Sequence, residues 1–217
     1  MKIIAINGSP RRNWNTATLL QKALEGAASK GAQTEIIHLY DENFRGCVSC
    51  YSCKQMGARH RCVVHDDLSR ILERMSKADG LIFGSPIYFG TVSSSMSACL
   101  ERFLFPYIMY NHESPSVFGR KMPSAFIYTM DSLNEQLCNE KEYLNGYENS
   151  IRMILGEAPE ILKSCDTWRY ENCSQCENTT CDRAQRGNHR KEQFPKDCER
   201  AYQIGVCLAE RVLGIKD

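Results

Sequence analysis

KIIAINGSPRRNWNTATLL, residues 2–20, is the stretch on which the fold turns. Ile3, Ile4, Ala5 and Ile6 form a short unbroken apolar run, the mark of a strand buried on both faces, and Asn7, Gly8, Ser9 and Pro10 end it. Past this polar loop, Ala17, Leu20, Ala23, Leu24 and Ala27 recur at helical spacing as far as Gly31. A strand that runs through a Gly/Ser/Pro loop into an amphipathic helix is the first half of a strand–helix–strand unit.

The remaining chain repeats that alternation. Residues 34–39 read as a second strand, and Asp66 or Asp67 caps a helix whose buried face is Leu68, Ile71, Leu72 and Met75. Residues 81–84 are the third strand. Met96, Cys99, Leu100 and Phe103 give a third helix its inner face, and residues 124–128 are an apolar run fit for a central strand. Leu137, Leu144, Tyr147, Ile151 and Ile154 mark a fourth helix, with a kink or break expected at Gly146. Residues 160–168 are the fifth strand, and Ala201, Ile204, Leu208 and Val212 place a final helix on the sheet. The expectation is an α/β fold: a single domain over 1–217, a five-stranded parallel sheet with helices on both faces. A cysteine-bearing insertion at 43–65 and a cysteine-rich segment at 165–198 are set into it. The connection 105–122, carrying Tyr107, Tyr110, Pro115 and Phe118, is long enough to be expected in function or in a subunit contact. The charged stretch 183–200 reads as a solvated approach to the last helix.

Composition removes several classes of function. With 217 residues, 42% of them apolar, the chain buries one core and falls short of two domains. Lys and Arg total 27 against 26 Asp and Glu, so no broad cationic face awaits nucleic acid or an anionic membrane. The apolar run at residues 3–6 is far too short for a signal-peptide core or a membrane span, and a cytoplasmic protein is expected. Twelve cysteines in such a chain point to metal or redox chemistry, because cytosolic thiols are kept reduced. Cys99, Cys138 and Cys207 stand apart at apolar helical positions and read as small buried hydrophobes.

In an open parallel sheet, ligands bind beyond the carboxyl ends of the strands where strand order reverses. The first such loop has the composition of a phosphate cradle. A helix N-terminus offers unpaired N–H groups and partial positive charge, and Ser9, Asn15, Thr16 and Thr18 add donors suited to one terminal phosphate. Arg11 or Arg12 balances its charge. The loop lacks the Gly-Lys-Ser/Thr of a Walker A motif and the G-x-G-x-x-G of dinucleotide folds, which argues for a mononucleotide. An ordinary capped helix entry, supplied by Asn15 and Thr16, is the competing reading.

Gly8-Ser9-Pro10-Arg11 with Asn15-Thr16, followed by Gly84-Ser85-Pro86-Ile87-Tyr88-Phe89-Gly90, resembles the NAD(P)H-dependent FMN reductases and iron-sulfur flavoproteins of the flavodoxin-like superfamily. The likeness extends over most of the chain, including residues 46–62 and Asp66-Asp67. It implies a flavodoxin-like three-layer sandwich that binds FMN. It also implies that Ser9, Arg11, Asn15, Thr16 and Thr18 hold the phosphate, while Pro86, Ile87, Tyr88, Phe89 and Gly90 lie against the isoalloxazine ring. A flat ring with polar edges needs backbone donors at its rim and apolar surface on its faces, and residues 86–90 offer both. Thr129 and Asp131, at the end of the fourth strand, are candidates for the polar rim; Asp131 serves equally well as a helix cap.

Cys47, Cys50, Cys53 and Cys62 read C-x2-C-x2-C-x8-C. Two-residue spacing turns successive thiolates toward one centre, so three corners of a 4Fe-4S cubane are filled by the first three and Cys62 supplies the fourth through a loop. The segment resembles the cysteine motif of iron-sulfur flavoproteins, with a longer last gap. A tetrathiolate zinc site and free thiols are the alternatives, and His60 or His65 can stand in for a thiolate. Cys173, Cys176 and Cys181, flanked by Cys165 and Cys198, match no established metal spacing; a second metal centre and a set of spare thiols are both open, with spare thiols the preferred reading. The resemblance implies an oxidoreductase that takes a hydride from NAD(P)H and passes electrons to a quinone, metal ion or other small acceptor. No catalytic side chain is required, since the cofactor carries the chemistry. An electron carrier exchanging with a ferredoxin-like protein and a cysteine-based redox or metal sensor are the rival readings. A homodimer or homotetramer is expected.

Overall fold

The computed structural model describes residues 1–57, 60–110, 115–130, 145–165 and 183–214, with backbone alone at 145 and 183–190. In chain order the elements are β1 (Lys2–Asn7), α1 (Asn15–Ser29), β2 (Gln33–His38), α2 (Asp67–Lys77), β3 (Gly80–Tyr88), β4 (Thr91–Val92), α3 (Ser94–Leu104), β5 (Ser124–Thr129), α4 (Asn145–Leu155), β6 (Glu160–Ser164) and α5 (Arg183–Leu213). The sheet order is β2-β1-β3-β5-β6, with all neighbours along that path parallel. The two-residue β4 pairs antiparallel with the end of β3. Setting β4 aside leaves the five-stranded, flavodoxin-like order in which the switch point lies between β1 and β3.

Strand alternation builds two cores. Ile4, Ile6, Phe83, Phe126 and Tyr128 face α2, α3 and α4, whereas Ile3, Ala5, Ile82, Ala125 and Ile127 face α1 and α5. All ten are fully buried, as a parallel sheet covered on both sides requires. The α1 and α5 helices cross at two glycines. A Cβ on Gly26 would stand 2.0 Å from the Tyr202 carbonyl oxygen, and one on Gly205 1.8 Å from that of Ala23, so no other residue lets the helices approach this closely.

Several element boundaries depart from the sequence expectation, the fourth strand by one residue at Thr129. The second strand runs one residue earlier, Gln33–His38, and Leu39 begins a 3-10 turn. The third strand continues from Gly84 to Tyr88 because Ser85 and Pro86 pair with Tyr128 and Thr129 of β5. β1 reaches only as far as Gly84, which leaves β3 one open edge, the setting in which a strand tolerates proline. The fifth strand ends at Ser164, and the charged stretch from Arg183 is already helical, with Pro195 inside α5. Cys207 is exposed rather than buried, while Cys99 is buried as expected. Leu137, Cys138 and Leu144 lie outside the described residues. In the long connection, Tyr107 and Phe118 pack edge-on with centroids 4.9 Å apart and sit against the core. That part of the loop is therefore anchored, and Tyr110 is left exposed.

Candidate functional site

The β1 loop is pinned from three sides. Asn7 is buried at the end of the strand, where its Oδ1 accepts the Ser9 N–H at 2.9 Å and its amide nitrogen lies 2.9 Å from His38 Nδ1. Burial, then the nearby Arg12 charge, pushes the His38 pKa down against the opposing pull of Asp41. A neutral ring that accepts from Asn7 fits this shift. Gly8 donates to the Gly84 carbonyl at 2.8 Å and accepts from Ser93 Oγ at 2.5 Å. A Cβ at Gly8 would lie 2.8 Å from Met96 Cβ, which is why glycine stands there.

α1 starts without a side-chain cap, because its N-cap residue is Trp14. The first-turn amides, which no intrahelical carbonyl can reach, and the positive end of the helix dipole open on this loop. Ser9, Asn15 and Thr16 are buried polar residues at that point. The sequence alternative of a cap supplied by Asn15 or Thr16 is set aside, since both lie inside the helix. Arg11 is exposed, its guanidinium 5.5 Å from the Trp14 ring centroid, whereas Arg12 pairs with Asp41 at 2.6 Å. Thr18 Oγ1 donates to the Trp14 carbonyl at 3.0 Å, one turn inside the helix.

The second loop is a hairpin. Phe89 and Gly90 both have positive φ, 51° and 79°, and join β3 to β4 in a two-residue turn. A phenylalanine in the left-handed region is strained, and such strain gathers at ligand clamps. Phe89 is fully exposed, Tyr88 exposed, and Pro86 and Ile87 half-buried. Burial chiefly raises the Tyr88 pKa; Tyr40 adds to the rise and the Arg11 charge opposes it.

Hydrogen bonds join the loops into one crevice. Ser85 Oγ accepts the Ser93 N–H at 2.9 Å while Ser93 Oγ holds Gly8, and Thr16 Oγ1 lies 2.8 Å from Thr129 Oγ1. Thr16 and Thr129 thus come together across 113 residues of sequence. Asp131 lies outside the described residues.

Cys47, Cys50, Cys53 and Cys62 line a single hollow with Tyr51, Glu101, Arg102, Phe105 and Pro106. Positive φ at Ser49 and Tyr51 curls the segment, and Glu101 accepts the Cys47 N–H at 3.2 Å. Lys54 Nζ donates to the Ile108 carbonyl at 2.6 Å and lies 4.7 Å from the Phe105 ring centroid. The Ser52 backbone N–H draws the Cys50 thiol pKa down, and burial pushes that of Cys53 up. Among the described residues, no three His, Cys, Asp or Glu side chains converge as a single ion would need. His65 is exposed, and His60 lines a neighbouring cavity with Cys62 and Arg102. Cys165 is disulfide-bonded, not a spare thiol, and Cys198 is free. Cys173, Cys176 and Cys181 lie outside the described residues.

Sequence reasoning missed Asn7, Ser93 and Arg102. Asn7 had a local signal, as the polar residue that ends an apolar strand. Arg102 had none, because its partner Asp66 is 36 positions away.

The family model for NADPH-dependent FMN reductase matches residues 1–142. An iron-sulfur flavoprotein of Methanocaldococcus jannaschii is 43% identical over 102 residues, 47% of this chain and 51% of that protein. One from Archaeoglobus fulgidus is 27% identical over 159 residues, covering 73% of this chain and 66% of the relative. The chain spans about half the length of the first curated relatives it matches. Among solved structures, an NAD(P)H:quinone oxidoreductase from Methanothermobacter marburgensis superposes with a TM-score of 0.62 at 17% identity, covering 96% of this chain and 98% of that one. An FMN-dependent NADH-azoreductase from Bacillus anthracis, solved with FMN, gives 0.65 at 12% identity, covering 96% and 100%. These two likenesses establish the shared fold, and among the described residues no helix is long and apolar enough to cross a membrane. With the match running unbroken from β1 through β5 and taking in both loops of the crevice, the chain belongs to the NADPH-dependent FMN reductase family.

Proposed function

We propose that the protein is an FMN-dependent oxidoreductase that takes electrons from NAD(P)H and delivers them to an acceptor such as a quinone, a metal ion or another small molecule. The observation that carries this reading is the Gly8–Ser93–Ser85 hydrogen-bond chain, which sets the uncapped start of α1 and the strained Phe89-Gly90 turn in one crevice at the sheet's switch point. Such a crevice fits a phosphate at one end and a flat ring at the other. Ser9, Asn15 and Thr16 would hold the phosphate, with Arg11 as countercharge, and Thr18 would join them by turning its hydroxyl proton away from the Trp14 carbonyl. Pro86, Ile87, Tyr88, Phe89 and Gly90 would border the ring, and Thr129 and Asp131 its polar rim. When bound, FMN supplies the chemistry by accepting a hydride at N5 and releasing electrons singly or in pairs. The protein binds, orients and shields.

Cys47, Cys50, Cys53 and Cys62 would hold a 4Fe-4S cluster. Their donor set and shared hollow support this. A mononuclear zinc site needs thiolates roughly 3.8 Å apart, given Zn–S bonds near 2.3 Å, and among the described residues no three ligands converge in that way; a cubane gives each thiolate its own iron. That hollow and the relatives named iron-sulfur flavoproteins favour a second reading, a carrier that exchanges electrons with a ferredoxin-like protein. Exposed Tyr88, Phe89 and Tyr110 suit a homodimer or homotetramer, and we place the protein in the cytoplasm.

Anaerobic purification followed by FMN, iron, sulfide and zinc analysis tests both cofactors. Stopped-flow mixing with NADH and NADPH then separates the readings. Rapid bleaching of flavin supports the enzyme, bleaching by reduced ferredoxin alone supports the carrier, and inertness toward all three refutes both and leaves a redox sensor.

A further inference from the structure

Arg102 is the largest fully buried side chain among the described residues. Removing a guanidinium from water costs several kcal/mol unless its hydrogen bonds repay it, and an apolar side chain of similar volume would fill the space at lower cost. Its partners explain its placement. Nη1 donates to Asp66 Oδ2 at 2.6 Å and to the Arg45 carbonyl at 2.9 Å, and Nη2 donates to the Val64 carbonyl at 2.9 Å. Arg45 lies two residues before Cys47 and Val64 two residues after Cys62, so one planar fork ties together both ends of the cysteine segment. The guanidinium also lines the four-thiol hollow and its neighbouring cavity, in both of which Cys62 is a wall. The start of α2 needs no arginine, because the Asp66 carbonyl accepts the Ser69 N–H at 3.0 Å and the Asp66 N–H donates to Ser69 Oγ at 3.1 Å.

We propose that Arg102 is the positioning residue of the thiolate site. It holds the cysteine segment in the shape that presents four sulfurs to one centre, and its fixed positive charge eases addition of an electron to the cluster. This rests on the cluster reading above. A cubane on four thiolates carries net negative charge that grows on reduction, and a buried cation beside one thiolate stabilises the reduced form. Asp66 offsets part of that charge.

The test uses the full chain, wild type and the R102M, R102K and D66N variants, each reconstituted anaerobically with ferrous iron and sulfide. Bound FMN and melting temperature report folding, and dithionite titration followed by electron paramagnetic resonance reports the cluster potential. R102M is expected to keep FMN, to bind at least threefold less iron, and to form a cluster at least tenfold harder to reduce, a fall of about 59 mV or more for one electron. R102K restores the potential toward wild type, since the charge remains, but not the iron content, since a single ammonium cannot bridge the same three acceptors. D66N moves the potential upward. Wild-type iron and potential in R102M, or R102M and D66N shifting the potential in the same direction, overturns the proposal. Should R102M fail to fold, an unchanged potential in D66N overturns it. A wild-type chain that holds FMN but neither iron nor sulfide overturns the cluster reading itself, visibly and before any substitution is made.

Discussion

At the residue scale there are two separable tests, one on Thr16 with Arg11 and one on His38. Thr16 stands at the uncapped start of α1 beside Thr129, and Arg11 is the exposed cation over Trp14. Hydrogen bonds to charged groups contribute about 1.5–3 kcal/mol each. The double variant R11A/T16A is therefore expected to weaken FMN binding at least tenfold in a fluorescence titration of apoprotein, and stoichiometric copurification of FMN would show the loop to be misassigned. His38 gives a pH dependence. Its pKa is lowered on folding, first by burial and then by Arg12, so the unfolded chain binds more protons than the folded one between the depressed value and the ordinary 6.5. Stability is complete above that window and declines as pH falls through it. The wild-type melting temperature should drop between pH 7.5 and 5.5 by more than that of H38N; equal drops would mean that His38 titrates alike in both states.

At the element scale, the β3–β4 turn and the α1–α5 crossing place opposite demands on their residues. Phe89 occupies a left-handed conformation that costs about 1–2 kcal/mol for a side chain with a Cβ. F89G is expected to raise the unfolding free energy read from a urea titration by roughly that amount while loosening FMN, and a loss of stability would refute the strain argument. At the helix crossing, any Cβ on Gly205 meets the Ala23 backbone. Overpacking of this kind costs about 1–3 kcal/mol and more where backbone must move, so G205A should lower the urea midpoint well beyond an exposed control such as G146A, whose Cβ meets nothing within 4 Å.

At the scale of the whole molecule, the two candidate sites hang on different supports. The crevice is built from the ends of β1, β3 and β5, and the thiolate hollow from a segment fastened to α3 and to the chain just after it. Chelation with oxidant should accordingly strip iron while leaving FMN bound. Loss of both together would show that the cluster is part of the flavin site. The flavodoxin-like order was legible because each strand-to-helix switch is written locally, as in residues 2–31, where Ile3 to Ile6 and then Ala17 to Ala27 change from continuous to helical apolar spacing. The extension of β3 through Pro86 was not, since it depends on pairing with Thr129, 43 positions onward.

By itself the chain's order of residues determined the period of each element, the phosphate-cradle composition of residues 8–18, and a four-cysteine spacing with thiolate chemistry, because these depend on neighbours a few positions apart. Tertiary structure alone decided that Ser93 would brace Gly8, that Thr16 would meet Thr129, that helices would cross at Gly26 and Gly205, and that a buried Arg102 would gather Arg45, Val64 and Asp66. Each of those contacts joins positions far apart in sequence. A side chain's local context carries no record of which distant atom the packed sheet will bring within hydrogen-bonding distance.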